Sequence, residues 1–240
     1  MKPTQPYQRV LLKLSGEQFA GDREYGVDPV FVNRLAKELA ETIEATHVQL
    51  AIIVGGGNIM RGASVAKSGI ERATGDYMGM LATLINGMAL VDILEANGVP
   101  ARLTTRLRAD QVAEPFVRRR ALRHLEKGRV VVVAGGTGNP YVTTDTAAVT
   151  TALELEGDLV LKATKVDGVY DKDPSKHADA QKHTELSFGK VLTDPHINVM
   201  DNAAISLAMD NSLPIVVFDL LTHGNIRRVI EGQNIGTKVS

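Results

Sequence analysis

Short, continuously apolar runs alternate along the chain with longer stretches in which apolar residues return every three or four positions. Val10–Leu14, Leu50–Val54, Val130–Ala134 and Leu159–Lys162 are rich in Val, Leu and Ile and have the length of strands. Four valines followed by an alanine suit a strand covered on both faces, as in a parallel sheet. Val99–Leu103 and Leu213–Phe218 predict two more strands, and Gly236–Val239 an edge strand. Between them Asp28-Pro29 predicts a helix start, an Asp cap with Pro in the first turn. Phe31, Leu35, Leu39 and Ile43 then form one apolar face. Helices are also predicted over Asp76–Ala96, Val112–Glu126, Thr146–Leu155, Leu186–Leu192, Asp201–Asn211 and Asn225–Glu231, and a polar loop over Gly16–Gly26. The helix over Asp76–Ala96 is apolar on more than one side, with Met78, Leu81, Leu84, Ile85, Met88 and Val91. Such a helix is either central in the core or shared with a second subunit.

Strand–helix alternation of this kind makes βαβ units. It predicts an α/β fold, a three-layer sandwich around a central, mostly parallel open sheet. No linker, low-complexity stretch or internal repeat divides the 240 residues, so a single domain with two lobes, residues 1–240, is expected.

Composition narrows the partners. A net charge of −1 supplies no field for nucleic acid, and five Tyr, five Phe and no Trp offer little for base stacking. Without cysteine there is no disulfide, thiolate metal site or Cys nucleophile, and the six histidines show no metal-ligand spacing, so no metal-ligating set is expected. MKPTQPYQRV lacks a signal-peptide core, and no run approaches 18 consecutive apolar residues. A cytoplasmic protein without a membrane span is the expectation.

Three of the apolar runs end in glycine: VLLKLSG, AIIVGGGN and VVVVAGGTGNP. Glycine there lets backbone N–H groups approach an anion closely, and a helix starting just beyond adds its positive end. Three such turns suggest a site gripping several phosphoryl groups in a line. The turns have neither the P-loop spacing nor that of a dinucleotide fold. Lys13 and Lys162 each end an otherwise apolar strand, where a charge must reach a cleft or a partner. Aimed at one edge, they could bracket a transferring phosphoryl group. Arg61 lies shortly after the triple glycine and carries a fork that matches phosphate oxygens. Thr137, Asn139, Thr143 and Thr144 offer donors and acceptors suited to a sugar, a base edge or a phosphate. Asp145 reads first as a helix cap, a role compatible with ordering two lysines, and Asp201 likewise reads as a cap.

The ordered set KLSGE, GGGNIMRG, GDYMGMLAT, GTGNPYVTTD, LKATKVDGVYDKDP and VMDNAA resembles bacterial UMP kinases of the amino acid kinase superfamily, from about residue 9 to the C-terminus. That resemblance implies the amino acid kinase fold and transfer of the γ-phosphate of ATP to UMP with Mg²⁺, directly and without a phosphoenzyme. It implies that Lys13, Leu14, Ser15, Gly16, Gly57 and Arg61 hold ATP phosphates, and that Thr164, Tyr170 and Asp173 line the adenosine pocket. Gly56, Asp76 and the run Thr137, Gly138, Asn139, Pro140, Tyr141, Val142, Thr143 and Thr144 would bind UMP, with Asp76 on the ribose hydroxyls. Lys13, Arg61 and Lys162 would stabilise the transferring phosphoryl, with Asp145 and Asp201 orienting groups around it. It further implies a homohexamer controlled by GTP and UTP. Arg118, Arg119, Arg120 and Arg123 form a basic run that reads as a solvated face, and Arg102 and Arg129 best fit an effector site.

Overall fold

The computed structural model describes residues 6–60, 69–172, 174, 176–177 and 179–240. Strand β1 (Arg9–Leu14) leads through a four-residue helix α1 (Gly16–Phe19) to α2 (Pro29–Thr46) and β2 (Gln49–Val54). A 25-residue helix α3 (Arg72–Ala96) precedes β3 (Ala101–Thr105), β4 (Glu114–Pro115), α4 (Arg118–Glu126) and β5 (Val130–Ala134). Then come α5 (Thr144–Glu154), β6 (Leu159–Thr164), the strands β7 (Val169–Tyr170), β8 (Lys182–His183) and β9 (Glu185–Leu186), and α6 (Phe188–Thr193). The chain closes with α7 (Asn202–Asp210), β10 (Ile215–Asp219), α8 (Asn225–Ile230) and β11 (Thr237–Val239).

Nine strands form one sheet in the order β4-β3-β5-β2-β1-β6-β10-β11-β9, parallel at every junction except β10–β11. Alternate residues of the central strands enter two separate apolar cores. Val10, Leu12 and Leu14 pack with Phe31, Leu39, Leu90 and Ile226, under α2, α3 and α8. Leu11, Val131, Val133 and Val160 pack on the other face with Leu125, Val149 and Ile205, under α4, α5 and α7. Two cores separated by one sheet make the three-layer, mostly parallel α/β sandwich that the alternating pattern predicts.

Several boundaries differ from expectation, each for a local reason. Residues 16–26 are not all loop: Ser15 N donates to Gln18 Oε1 at 2.8 Å and closes the first turn of α1. The expected helix over Val112–Glu126 begins only at Arg118, because Glu114–Pro115 adds a short edge strand to β3. Edge strands tolerate Pro, which lacks the donor for a ladder. Leu186 ends β9, and Ser187 Oγ accepts from Lys190 N at 3.2 Å to start α6. Strand β11 is not at the edge; it lies between β10 and β9.

By length and composition α3 could cross a bilayer. Here it packs on α2, β3 and β5, burying Leu84, Leu90 and Leu94, while Tyr77, Leu81, Ile85 and Met88 line its exposed side.

Candidate functional site

The carboxyl ends of β5, β2, β1 and β6 lie side by side, so the loops that follow them meet along one edge of the sheet. Lys13 and Lys162 are register partners across the parallel pair β1–β6. Residues so paired point to the same face, here the face covered by α5. Both side chains are largely buried, and Asp145, in the first turn of α5, lies between them. Lys13 Nζ is 2.7 Å from Asp145 Oδ1, and Lys162 Nζ donates to Oδ2 at 2.9 Å. Lys162 Nζ also donates to the Val199 carbonyl. Burial pushes the Asp145 carboxyl up, but the two ammonium groups outweigh it and hold the group below its ordinary value. For Lys162 burial wins: desolvation lowers its pKa, the charge of Lys13 reinforces that, and Asp145 only partly offsets it.

Asp145 is therefore not the cap of α5. Thr143 is: its hydroxyl accepts from Asp145 N and Thr146 N. Asp201 does cap its helix, accepting from Ala204 N at 2.9 Å, and it accepts as well from the hydroxyls of Thr143 and Thr146. One carboxylate thereby links the start of α7 to the start of α5, which carries Asp145.

The glycine turns are pinned by polar groups on α3. Asn86, fully buried, donates to Gly55 O at 2.7 Å and to Asn58 Oδ1 at 2.7 Å, and accepts from Asn58 Nδ2 at 3.0 Å. One turn earlier, Thr83 Oγ1 accepts from Gly135 N at 2.7 Å. Asp76 Oδ2 accepts from Tyr141 N at 2.8 Å. Along the sequence this helix is apolar on more than one side, and Thr83 and Asn86 carry no signal beyond being polar residues inside a run of core positions. Chain packing also demands glycine: a Cβ on Gly16 would lie 2.4 Å from Gly57 N, and one on Gly56 2.6 Å from Gly79 O.

Two clefts open at this edge. The first, about 440 Å³, is lined by residues of the glycine turns and α3, including Lys13, Ser15, Gly16, Gly57, Asp76 and Thr143. The second, about 400 Å³, includes Lys162, Thr164, Gly168, Tyr170, Asn198 and Val217. Lys13 lines one and Lys162 the other, so the Asp145 bridge stands at their junction. Tyr170 OH donates to Asp167 Oδ1 at 2.5 Å; that bond lowers the Asp167 carboxyl and raises the phenol.

The expected site residues thus divide. Lys13, Ser15, Gly16, Gly56, Gly57, Asp76, Val142, Thr143 and Thr144 line the first cleft, and Lys162, Thr164 and Tyr170 the second. Leu14 does not face either cleft: its side chain is fully buried in the core, and its carbonyl accepts from Gly55 N. Thr137, Gly138, Asn139 and Pro140 sit beyond the lining, with Thr137 and Asn139 bonded to each other, and Tyr141 meets Asp76 through its backbone. Asp201 acts through the two threonine hydroxyls and lines neither cleft. Arg61 and Asp173 lie outside the described residues. Arg102, near the start of β3, pairs with Glu95 at 2.9 Å, and Arg129, just before β5, contacts His124 Nδ1 at 3.1 Å. Both are at the opposite end of the strands from the lysines.

Residues 8–219 match the profile of the amino acid kinase family. The chain is 52% identical, over 238 residues, to the uridylate kinase of Dichelobacter nodosus (strain VCS1703A), covering 99% of this chain and 98% of that relative. Its fold is similar to the crystal structure of UMP kinase from Bacillus anthracis, with a TM-score of 0.93, 36% identity and coverage of 98% and 96% of the two chains. Uridylate kinase from Archaeoglobus fulgidus is more distant, at a TM-score of 0.75, 27% identity and coverage of 96% and 99%. With two lysines bridged by an aspartate between two clefts, and likeness along nearly its whole length, the chain belongs to the amino acid kinase family and, within it, to the uridylate kinases.

Proposed function

We propose that the chain transfers the γ-phosphoryl group of ATP to UMP in one direct step, giving ADP and UDP. The observation that carries this reading is the Lys13–Asp145–Lys162 bridge at the junction of the two clefts. ATP would extend from the second cleft, its adenosine beside Thr164 and Tyr170, with its phosphates towards Ser15, Gly16 and Gly57. UMP would occupy the first cleft, its ribose at Asp76 and its phosphate towards the lysines. The oxygen of the UMP phosphate attacks the γ-phosphorus while the bond to the β-phosphate oxygen breaks, and ADP leaves with that electron pair.

Negative charge spreads over the phosphoryl oxygens in the transition state. Lys13 and Lys162 are preorganised to receive it, because Asp145 has already drawn both ammonium groups to one place. Among the described residues no group of three or more His, Cys, Asp or Glu forms a metal cage. Asp145 and Asp201 are committed to lysines, hydroxyls and an amide, so a Mg²⁺ ion would enter with ATP rather than be held by these carboxylates. When bound, that ion neutralises charge on the β- and γ-phosphates.

The same reading extends to a cytoplasmic homohexamer of single two-lobed domains, activated by GTP and inhibited by UTP, with Arg102 and Arg129 at the effector site. An ADP-release assay with UMP, CMP, acetylglutamate and aspartate as acceptors, repeated with GTP and UTP, tests it. UMP is expected to be turned over fastest. Turnover of a carboxylate acceptor instead, or nucleotide binding without turnover, would overturn the reading.

A further inference from the structure

Asp76 has two partners that the sequence gives no reason to expect together. Arg72, one helical turn earlier on α3, donates from Nε to both carboxylate oxygens, at 2.9 and 3.0 Å. Tyr141 N donates to Oδ2 at 2.8 Å, and the Arg72 guanidinium lies over the Tyr141 ring, 5.6 Å from its centroid. Tyr141 has φ +68°, a left-handed conformation that is strained for a bulky side chain and persists only where the surroundings determine it. These contacts tie the loop after β5 to the first turns of α3 through one carboxylate.

An ion pair between residues four apart on an exposed helix contributes little. This pair differs, because the Asp76 side chain is only 14% exposed and both residues line the first cleft. A carboxylate offers about four lone-pair positions. Arg72 uses one on each oxygen and Tyr141 N a second on Oδ2, so Oδ1 keeps one for a hydroxyl donor.

We propose that Arg72 is a positioning residue for the acceptor. It fixes the Asp76 carboxylate so that Oδ1 meets an acceptor sugar hydroxyl, and it holds the Tyr141 loop against α3. The proposal rests on the UMP kinase reading, in which Asp76 takes the ribose hydroxyls. Arg72 is then a determinant of ribose over deoxyribose without itself touching the sugar.

The test is steady-state kinetics with UMP and 2′-deoxy-UMP for the wild-type chain, Arg72→Ala, Arg72→Lys, Asp76→Asn and the Arg72→Ala/Asp76→Asn double variant. Arg72→Ala is expected to raise the KM for UMP about tenfold, the scale of a lost charge-assisted bond, with kcat and the KM for ATP within about twofold. Its preference for UMP over 2′-deoxy-UMP should fall to that of Asp76→Asn, and the double variant should be no worse than Asp76→Asn alone. Arg72→Lys keeps the charge but lacks the Nε–H that bonds both carboxylate oxygens, so it should recover only part of the preference. An unchanged KM for UMP, a retained ribose preference, or losses that multiply in the double variant would each overturn the proposal while the kinase reading stands. Absence of UMP turnover in the wild-type chain would overturn both.

Discussion

Lys13 and Lys162 are paired residue to residue across β1 and β6, and their ammonium groups close on opposite oxygens of Asp145 at 2.7 and 2.9 Å. Two like charges this close, in a largely buried setting, repel unless an anion lies between them. Asp145 supplies that anion in the resting site. In the proposed reaction a transferring phosphoryl group would supply a second one, and the same pair would then serve stability and chemistry.

Replacing either Lys13 or Lys162 by Ala is expected to lower kcat by about 10²–10³ with the fold retained, the scale of removing one preorganised donor at developing charge. Coupled ADP release, with far-ultraviolet circular dichroism as the folding check, measures it. Unchanged turnover in both variants would remove them from the mechanism.

Asp145→Asn should act first on stability. It leaves two mostly buried ammonium groups without their counter-charge, a loss of about 3–5 kcal/mol for a broken buried pair. The Asp145 carboxyl sits below its ordinary value of 3.8, so its contribution is present above that pH and is lost as pH falls through the lowered folded value. Urea unfolding at pH 7 and in increasing acid should show the gap between wild type and variant closing below about pH 4. A constant gap would contradict it.

Glu38 has the opposite sign. Its side chain, on α2, accepts from Gly224 N at 2.9 Å at the start of α8, beside His223 and with Glu41 and Arg34 on its own helix. Burial raises its pKa above 4.5, and the Gly224 bond and His223 only partly offset that. The protonated form is favoured in the fold, so this contribution is full below pH 4.5 and is lost as pH rises through the raised value. Glu38→Gln keeps an acceptor for Gly224 N and removes the charge. Its Tm should exceed that of the wild type at pH 8 and match it at pH 4; a wild-type pH profile in the variant would refute the assignment.

Asn86→Leu keeps the side-chain volume but leaves Gly55 O and the Asn58 amide buried without their partner. A loss of about 1–3 kcal/mol in urea unfolding is expected. Because Gly55 begins the triple-glycine turn, the KM values for both nucleotides should rise as well. A stability loss with unaltered KM values would confine Asn86 to the core.

The sequence by itself determined the order of the longer strands and helices, the three-layer α/β class, and which residue types cluster after the strands. The four-residue α1 and the two-residue strands β4, β7, β8 and β9 are too short to leave a periodic signal. Period and glycine are local signals: an apolar run of five and a turn needing close backbone approach are legible without knowing what packs against them. The resemblance of six ordered motifs pointed to the family. Tertiary structure decided what depends on distance in space. Nothing local says that Lys13 and Lys162, 149 positions apart, share a register, or that Thr143 caps α5 and leaves Asp145 free to bridge them. Local propensity favours capping for both Thr and Asp, and only the two buried ammonium groups settle which does what. The polar face hidden in α3 has the same cause. Asp76, Thr83 and Asn86 become a line of anchors only because the turns after β2 and β5 come to rest against one side of that helix.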